Sequence, residues 1–524
     1  MSDKFYELYC EEVEKNEKLR AKLKESKNEK LENKFKHLKV ENQSLKNRID
    51  YLESTIAESI ERAVAQVAAG YEEKISELNH KVASLQSILN NNGTNSGIST
   101  ASTPIHKEKR IPNTREKSEK SIGGQFGHSK HQLEAFSEEE ITEHVHHEQV
   151  SCPKCQGDMH RTGEEKTRDE YEIEVIVKKI RHHFHTVECP TCKSNVSEAI
   201  PEHLHGQNQY GAGIGAMILA LINIGFVSMM RTRELMSGFS LGEIVLSVGY
   251  IAKLQKRVAK LLIPFMLSVR QAIIASTLVC WDDTVIMINK KRSCLRVYTN
   301  EQVVLYTAHE TKGKEGIDED GILLALDEQT IVMHDHNIIN YNDDYVFQNA
   351  ECCVHLLRDL KKVDDNLSHP WAPDLHELLT TINARRNSGD YFDVDEVKSQ
   401  VREVIAQGWS QHEQARPNAY YLDKEAALLR RLEKYFDNYL MWLWHEDVPF
   451  SNNESERNLR SSKTKMKISG QFQNIKRAED FAVIKTYIET GKRHGINRVL
   501  LLKRAIVGDF MTLDEMQQFQ IDQA

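Results

Sequence analysis

Hydrophobic and polar positions change period several times along the chain, and each change marks an element or a boundary. From Leu31 the apolar residues step alternately by four and three, through Phe35 and Leu38 and then Leu45, Ile49, Leu52 and Ile56, with Asn42 in the one gap. Leucine holds every d position and Phe35, Asn42, Ile49 and Ile56 hold a, the pattern of a two-stranded parallel coiled coil. An asparagine at a costs stability but fixes register and favours a dimer. One extra residue after Ile56 shifts the frame, which Tyr71, Ile75, Leu78, Val82, Leu85 and Leu89 resume. Residues 1–92 are therefore expected to form a coiled coil that makes the protein a homo-oligomer. The plainer reading is a long solvated helix lying on its own protein.

Periodicity then stops. Residues 93–140 are rich in Asn, Ser, Thr and Gly with scattered bases, a composition that cannot bury enough to order itself, and a flexible basic linker is expected. Within 141–205 the stretch "YEIEVIVKKIRHHFHTVEC" alternates as a strand does. Residues 206–276 read as a helical domain. Their uncharged run, 207–230, is long enough to cross a membrane, but Gln207, Asn208, Asn223 and four glycines dilute it, so a buried helix is expected and no membrane. "SLGEIVLSVGYIAKLQKRVAKLL" is compatible with a helix-turn-helix and equally with plain packing.

From residue 277 the period returns to two. Three strands separated by "NKKRS" and "NE" predict an antiparallel meander, "GIDEDGILLAL" suits a helix, and "QTIVMHDHN" a buried strand ending in Asp335. Strand, strand, strand, helix, strand, with an acid on the first and the fourth strand, is the layout of a ribonuclease-H-like fold. The expected fold class is multidomain α+β. It comprises a coiled coil, a zinc ribbon, a helical domain, a ribonuclease-H-like α/β domain over 277–490 with a helical insertion at about 353–440, and a helical tail over 491–524.

Composition narrows the partners. The 524 residues leave room for about three to four domains, and a 40% hydrophobic share with a mean hydropathy of −0.54 describes a soluble protein with a core. A net charge of −9 argues against a generally basic surface, so any nucleic-acid contact must be local. Nine cysteines without an N-terminal signal segment point to a reducing, cytoplasmic compartment.

Four of those cysteines stand in matched pairs, "CPKC" at Cys152 and Cys155 and "CPTC" at Cys189 and Cys192, with 33 residues between the pairs. Each tight turn presents two thiolates, which suits a tetrahedral structural Zn2+ with no open position for substrate. The acids raise a different chemistry. Asp282 and Asp283 sit on the first strand of the meander, and Asp335 would face them across one inter-strand spacing. Carboxylates so close repel unless cations lie between them, and hard oxygen ligands suit two Mg2+ ions, or Mn2+, placed for phosphoryl transfer. Glu456 is the candidate third acid, in the first turn of a helix that Ser451, Asn452 or Asn453 can cap. Between residues 457 and 477 no acid occurs. Arg460, Lys463 and Lys467 follow Glu456 at i+4, i+7 and i+11, on one helix face that could guide a phosphate backbone.

Nearly the whole chain resembles the transposases of the insertion-sequence family numbered sixty-six, DDE transposases of bacterial mobile elements. The resemblance rests on "NTREKSEKSIGGQFGH", the two cysteine pairs, "WDDT", "VMHDH", "CCVHLLRDL", "PFSNNESERNLR", "SGQF" and "YIETGKRHGIN". It implies a catalytic and magnesium-binding triad of Asp282, Asp335 and Glu456, since Glu454 falls at a variable position of its motif. Asp283 stands where the family has glutamate, leaving Asp282 and Asp283 as alternative ligands, and His336 stands where it has glycine. Cys353, His355, Arg358 and Asp359 become site-support or DNA-contacting residues, and Arg457, Arg460, Lys463, Lys465 and Lys467 phosphate contacts. The implied partners are the element's terminal inverted repeats, target DNA and small accessory proteins of the same element. A catalytically inactive, zinc-containing coiled-coil regulator of DNA is the alternative.

Overall fold

The computed structural model describes residues 2–25, 29–90, 136–147, 151–161, 166–204, 206–415 and 421–523. The expected linker lies outside them up to residue 135. Two helices open the chain, α1 (Ser2–Glu25) and α2 (Glu29–Asn90). At 62 residues α2 runs for about 93 Å. Its first half packs against α1, with Arg20 over the Phe35 ring, Lys46 over the Tyr9 ring, and Asn42 Nδ2 donating to the Glu12 carbonyl at 3.4 Å. The expected coiled coil over 1–92 did not include a fold of α1 back onto α2, because the seam read from the sequence begins only at Leu31. From Ile60 to Leu85 the apolar positions of α2 are more than half exposed.

Among the described residues, the cysteine-pair region holds two short strands, β1 (Thr186–Glu188) and β2 (Asn195–Ser197), paired antiparallel. Over 171–185, ahead of β1, the alternating stretch does not form the expected strand. It has no partner strand among the described residues, so its isoleucines stay exposed.

Four helices follow, α3 (Ala212–Asn223), α4 (Met229–Phe239), α5 (Val248–Leu261) and α6 (Ile263–Ile274). The helix-turn-helix reading does not hold in the form proposed. Residues 241–247 are a loop, entered through Leu241 and Gly242 at positive φ, and Ser240 Oγ accepts the Ile244 N–H at 2.9 Å. Ile244 and Leu246 are buried along that loop, so their hydrophobicity reflects an extended strap rather than a helix.

The sheet is built from β3 (Leu278–Ile288), β4 (Lys291–Thr299) and β5 (Val304–His309), then α7 (Lys314–Asp320), β6 (Ile331–His334) and β7 (Gln348–Glu351). Its order is β5-β4-β3-β6-β7, antiparallel from β5 to β3 and parallel from β3 to β7. The first hairpin turns on Asn289 and Lys290, both at positive φ, which matches the right-handed twist of the flanking strands. In the second turn Asn300 Oδ1 accepts from the N–H groups of Gln302 and Val303. A glycine in the left-handed region, Gly321, stops α7. The expected first-to-fourth strand neighbourhood is present as the β3–β6 pair, and β7 adds a fifth strand that the sequence reading did not include.

Between β7 and the last segment comes the expected helical insertion: α8 (Cys353–Leu367), α9 (Trp371–Ser388), α10 (Val394–Gln414), α11 (Leu422–Lys434) and α12 (Phe436–Leu440). It surrounds its own core and packs on the sheet through Cys280, Ile331, Met333 and Ala350. The chain closes with α13 (Asn453–Ser469), α14 (Ile475–Arg493), α15 (Arg498–Ile506) and α16 (Leu513–Gln523). Helices α3, α5, α6, α14 and α15 share one core with Val279, Trp281 and Tyr298 of the sheet, so residues 206–276 and the tail are one cover for one sheet face rather than separate domains. The free edge of β5 is closed by α14. Thr490 and Thr486 hydroxyls accept the N–H groups of Val304 and Tyr306, at 3.2 and 2.9 Å.

Candidate active site

Alternation along the strands decides which acid faces where. In β3, Val279 and Trp281 join the core under α3–α6, whereas Cys280, Ile286 and Ile288 face the other side. Asp282 is on that other side. In β6, Val332 joins the first core, and Ile331 and Met333 the second, which puts Asp335 on the same side as Asp282. The β3–β6 register pairs Leu278 with Ile331 and Cys280 with Met333; continued by two residues it sets Asp282 beside Asp335. Asp283 turns to the opposite face, where Lys312 Nζ lies 2.5 Å from its Oδ1. Of the two adjacent aspartates, Asp282 is therefore the one beside Asp335.

Glu456 arrives on α13, which packs across β3 and β4. None of the three candidate caps acts as expected. Asn452 is the N-cap residue but makes no side-chain cap bond. It is fully buried, its Nδ2 donating to the Trp281 carbonyl at 2.8 Å and its backbone N–H to Cys352 Sγ at 3.2 Å. Ser455 bonds back to it. The Cys352 N–H donates to the His334 carbonyl and the Cys353 N–H to the Phe450 carbonyl. The ends of β3 and β6 and the starts of α8 and α13 are thus stitched together at one place, with two helix N-termini directed toward the acids.

At this junction His355 Nδ1 lies 2.9 Å from Asp335 Oδ1 and 3.8 Å from Glu456 Oε1. Arg358 Nη1 stands 4.0 Å from Glu456 Oε1, and Arg460 Nη2 3.6 Å from Glu456 Oε2. Asp335 Oδ1, Glu456 Oε1 and His355 Nδ1 are nevertheless buried without an aligned hydrogen bond. Ligand atoms of Asp335, Cys352, His355 and Glu456 all lie within 4.8 Å of one another. Buried oxygens without aligned hydrogen bonds and an imidazole nitrogen this close fit a divalent cation.

The electrostatics agree. Burial, and then the neighbouring Asp335, push the Asp282 carboxyl up to about 8 when no cation is present. For His355, burial opposes a charge, but Asp335 and Cys352 outweigh it and raise the ring to about 10. Arg358 Nη1 pulls the other way, because at 2.9 Å from Nε2 it needs that nitrogen as an acceptor. The arginine contact is the more direct constraint, and it favours a neutral ring once a cation takes up the carboxylate charge.

Other expected residues fall elsewhere. Cys353 is buried with its Sγ on the Tyr439 carbonyl, so the cysteine of this junction is Cys352, one residue earlier than the motif suggested. Asp359 pairs with Arg431 at 2.7 Å and Lys362 at 2.9 Å, joining α8 to α11 rather than serving the acids. Glu454 pairs with Arg493. Lys465 does not reach solvent; it is buried with its ammonium 3.7 Å from the Phe472 ring centre, and burial lowers its pKa to about 8. Arg460, Lys463 and Lys467 keep an exposed face that continues from Glu456, and Lys463 is close enough to lower the charge cost on Asp282. Arg457 is exposed one step round the helix, lining a cleft of about 800 Å³ with Cys280, Thr299, Asn453 and Glu454. The sequence reading missed Glu351, a buried acid held by His336 Nδ1 at 2.7 Å and Tyr341 Oη at 2.6 Å. Here His336, in the place of a turn glycine, acquires a partner.

The two cysteine pairs adopt the same turn. In the first, Cys152 N–H donates to Gly157 O and Gln156 N–H to Cys152 O; in the second, Cys189 N–H donates to Ser194 O and Lys193 N–H to Cys189 O. Gln156 and Lys193 both have φ of 61°. Hydrogen bonds lower the thiol pKa in each, at Cys152 from the backbone of Lys154 and at Cys192, to about 7, from Ser194. Lowered thiols on matched turns suit Zn2+.

A sheet with clustered acids, joined to a zinc-binding module, is the class these elements define, and comparison with known proteins names the family. A model described as "Transposase IS66 family" matches residues 207–480, more than half of the chain, and one described as the zinc-finger binding domain of transposase IS66 matches residues 149–193. The chain belongs to the IS66 transposase family and carries its zinc-finger domain. A comparison with curated proteins returned no match. Among solved structures, the catalytic domain of Mos1 mariner transposase, alone and with Raltegravir and Mn, is similar at 14% identity. Each match covers 34% of this chain and 90–91% of the other, with a TM-score of 0.11. No helix among the described residues is long and apolar enough to cross a membrane.

Proposed function

We propose that this protein binds the terminal inverted repeats of a mobile element, cuts DNA there and joins the freed 3′-OH to target DNA, using Asp282, Asp335 and Glu456 in a ribonuclease-H-like catalytic domain. One observation carries the reading: Asp335 and Glu456 meet at a stitched junction beside Asp282, with buried oxygens that have no hydrogen-bond partner. Divalent cations held there would supply the positive charge that phosphoryl transfer needs. The chain's own part is positional. The β3–β6 register fixes Asp282 against Asp335, Asn452 holds Glu456 over them, and Arg460, Lys463 and Lys467 align a phosphate backbone along α13. In cleavage, water displaces the 3′ oxygen from a phosphodiester; in joining, the freed 3′-OH attacks a target phosphodiester and displaces its 3′ oxygen, so the element's end is bonded to the target's 5′ phosphate.

The zinc finger and linker take up the element's ends, and two copies associate along the exposed apolar stripe from Tyr71 to Leu85, covering what one helix leaves open. A strand-transfer assay on supercoiled plasmid carrying cognate ends, with Mg2+ or Mn2+, tests the whole. Asp335→Asn and Glu456→Gln abolish joining while end binding survives. Wild-type joining in either variant refutes the proposal.

A further inference from the structure

The junction contains more than carboxylates, and its chemistry is uneven. Asp335 and Glu456 offer oxygens, His355 offers Nδ1, and Cys352, buried at the head of α8, offers Sγ, all four within 4.8 Å of one another. Asp282, beside Asp335, adds a further carboxylate. Magnesium takes oxygen ligands in octahedral geometry, whereas imidazole and thiolate suit zinc, cobalt and related ions.

We propose that Asp335, Cys352, His355 and Glu456 form one cation position of mixed sulfur, nitrogen and oxygen character, selective for a zinc-like divalent ion, next to an all-oxygen position at Asp282. The inference rests on the reading of these acids as an ion site, and it assigns unlike chemistry to the two ions. Three features hold the position ready. The Asn452 N–H reaches Cys352 Sγ at 3.2 Å and fixes the sulfur's direction. Arg358 donates to Nε2 of His355, which leaves Nδ1 to face the acids. Asp335 Oδ1, Glu456 Oε1 and His355 Nδ1 are buried without aligned hydrogen bonds, and an ion between them replaces the 2.9 Å contact of His355 with Asp335. On binding, the Cys352 thiol gives its proton to solvent and the sulfur becomes the ligand.

Cobalt(II) distinguishes this position from the zinc finger, because zinc already in the finger binds more tightly than cobalt. Zinc-replete full-length protein titrated with Co2+ is expected to show thiolate-to-cobalt charge-transfer absorption that saturates at one ion per chain. Cys352→Ser removes the band and weakens Co2+ binding about tenfold or more, with Mg2+ binding nearly unchanged. His355→Gln, which retains the thiol, keeps a charge-transfer band but shifts the visible d–d bands, and provides the reading if Cys352→Ser melts early. Absence of the band in wild type, its persistence in Cys352→Ser, or an unaltered spectrum in His355→Gln overturns the proposal. These spectra need no DNA. Retained joining in Asp335→Asn defeats the catalytic reading, and a missing cobalt band defeats only the mixed site.

Discussion

Asp282 is expected to cost the metal-free protein stability, and its replacement to restore it. The carboxyl loses its proton near 3.8 in an unfolded chain and holds it to about 8 in the fold, because burial and then Asp335 penalise the anion. Between those values the unfolded state binds fewer protons than the folded one, so stability falls as pH rises from about 4 to about 8 and is level above. At pH 7 the gap spans about 3 pH units, a penalty of at most about 4 kcal/mol. Asp282→Asn removes the charge and retains the shape. In EDTA at pH 7 its melting temperature should rise by several degrees over wild type, and the gain should vanish at pH 4. Added Mn2+ should raise wild type toward the variant by supplying the charge that Asp282 lacks, while the variant, short of a ligand, responds less and does not join strands. Scanning calorimetry at the two pH values, with and without Mn2+, measures all of this. An Asp282→Asn protein no more stable than wild type at pH 7 without metal would refute the reasoning.

The basic helix should divide by exposure. Lys463→Ala lowers the salt dependence of end binding by about one unit of slope. Lys465→Met instead leaves DNA binding intact and stabilises the protein by about 1 kcal/mol, because relief of the buried charge outweighs the cation–ring attraction that Phe472 provides. Salt-titrated fluorescence anisotropy and thermal melts separate the two. Asn452→Ala leaves the Trp281 carbonyl unpaired in a buried place, costing about 1–3 kcal/mol and most of the joining activity, read by denaturant titration and strand transfer. Gly408→Ala drives a methyl to 2.7 Å from Leu429 and 2.9 Å from the buried Trp371 ring, so the insertion should lose about 1–3 kcal/mol in a denaturant titration. Leu78→Glu with Val82→Glu charges the exposed stripe of α2 and should lower the oligomer mass in light scattering while leaving the melt of the remainder unchanged.

Legibility followed the range of the interactions. The meander, its turns and the order of the acids could be read from the chain because a strand's alternation and the φ demands of Asn289 and Lys290 are local. The identity of the acid beside Asp335 also follows from alternation, but only once the β3–β6 register is known, since a one-residue slip exchanges Asp282 for Asp283. The packing of α1 back onto α2 escaped because the heptad seam in the sequence begins only at Leu31. Strand β7 escaped because four residues, three of them polar, carry almost no periodic signal.

Lys465 and Cys353 show where motif spacing misleads. On a helix, one residue is a turn of about 100°, and Lys465 stands two positions from Lys463. The same charge therefore faces Phe472 and Phe481 instead of solvent, and its long methylene stem lets it be buried. At the head of α8 two adjacent cysteines part because only one is helical: Cys353 opens the helix and turns to Tyr439 in the core, and the extended cap residue Cys352 turns to the acids. What chooses between them is long-range. Asn452, a hundred residues later, bonds both the Cys352 sulfur and the Trp281 carbonyl, so the position of the α8 head depends on α13 and β3 together. Glu456 is brought to Asp335 by the same bonds, which makes the assembly of the acids and the orientation of Cys352 one event.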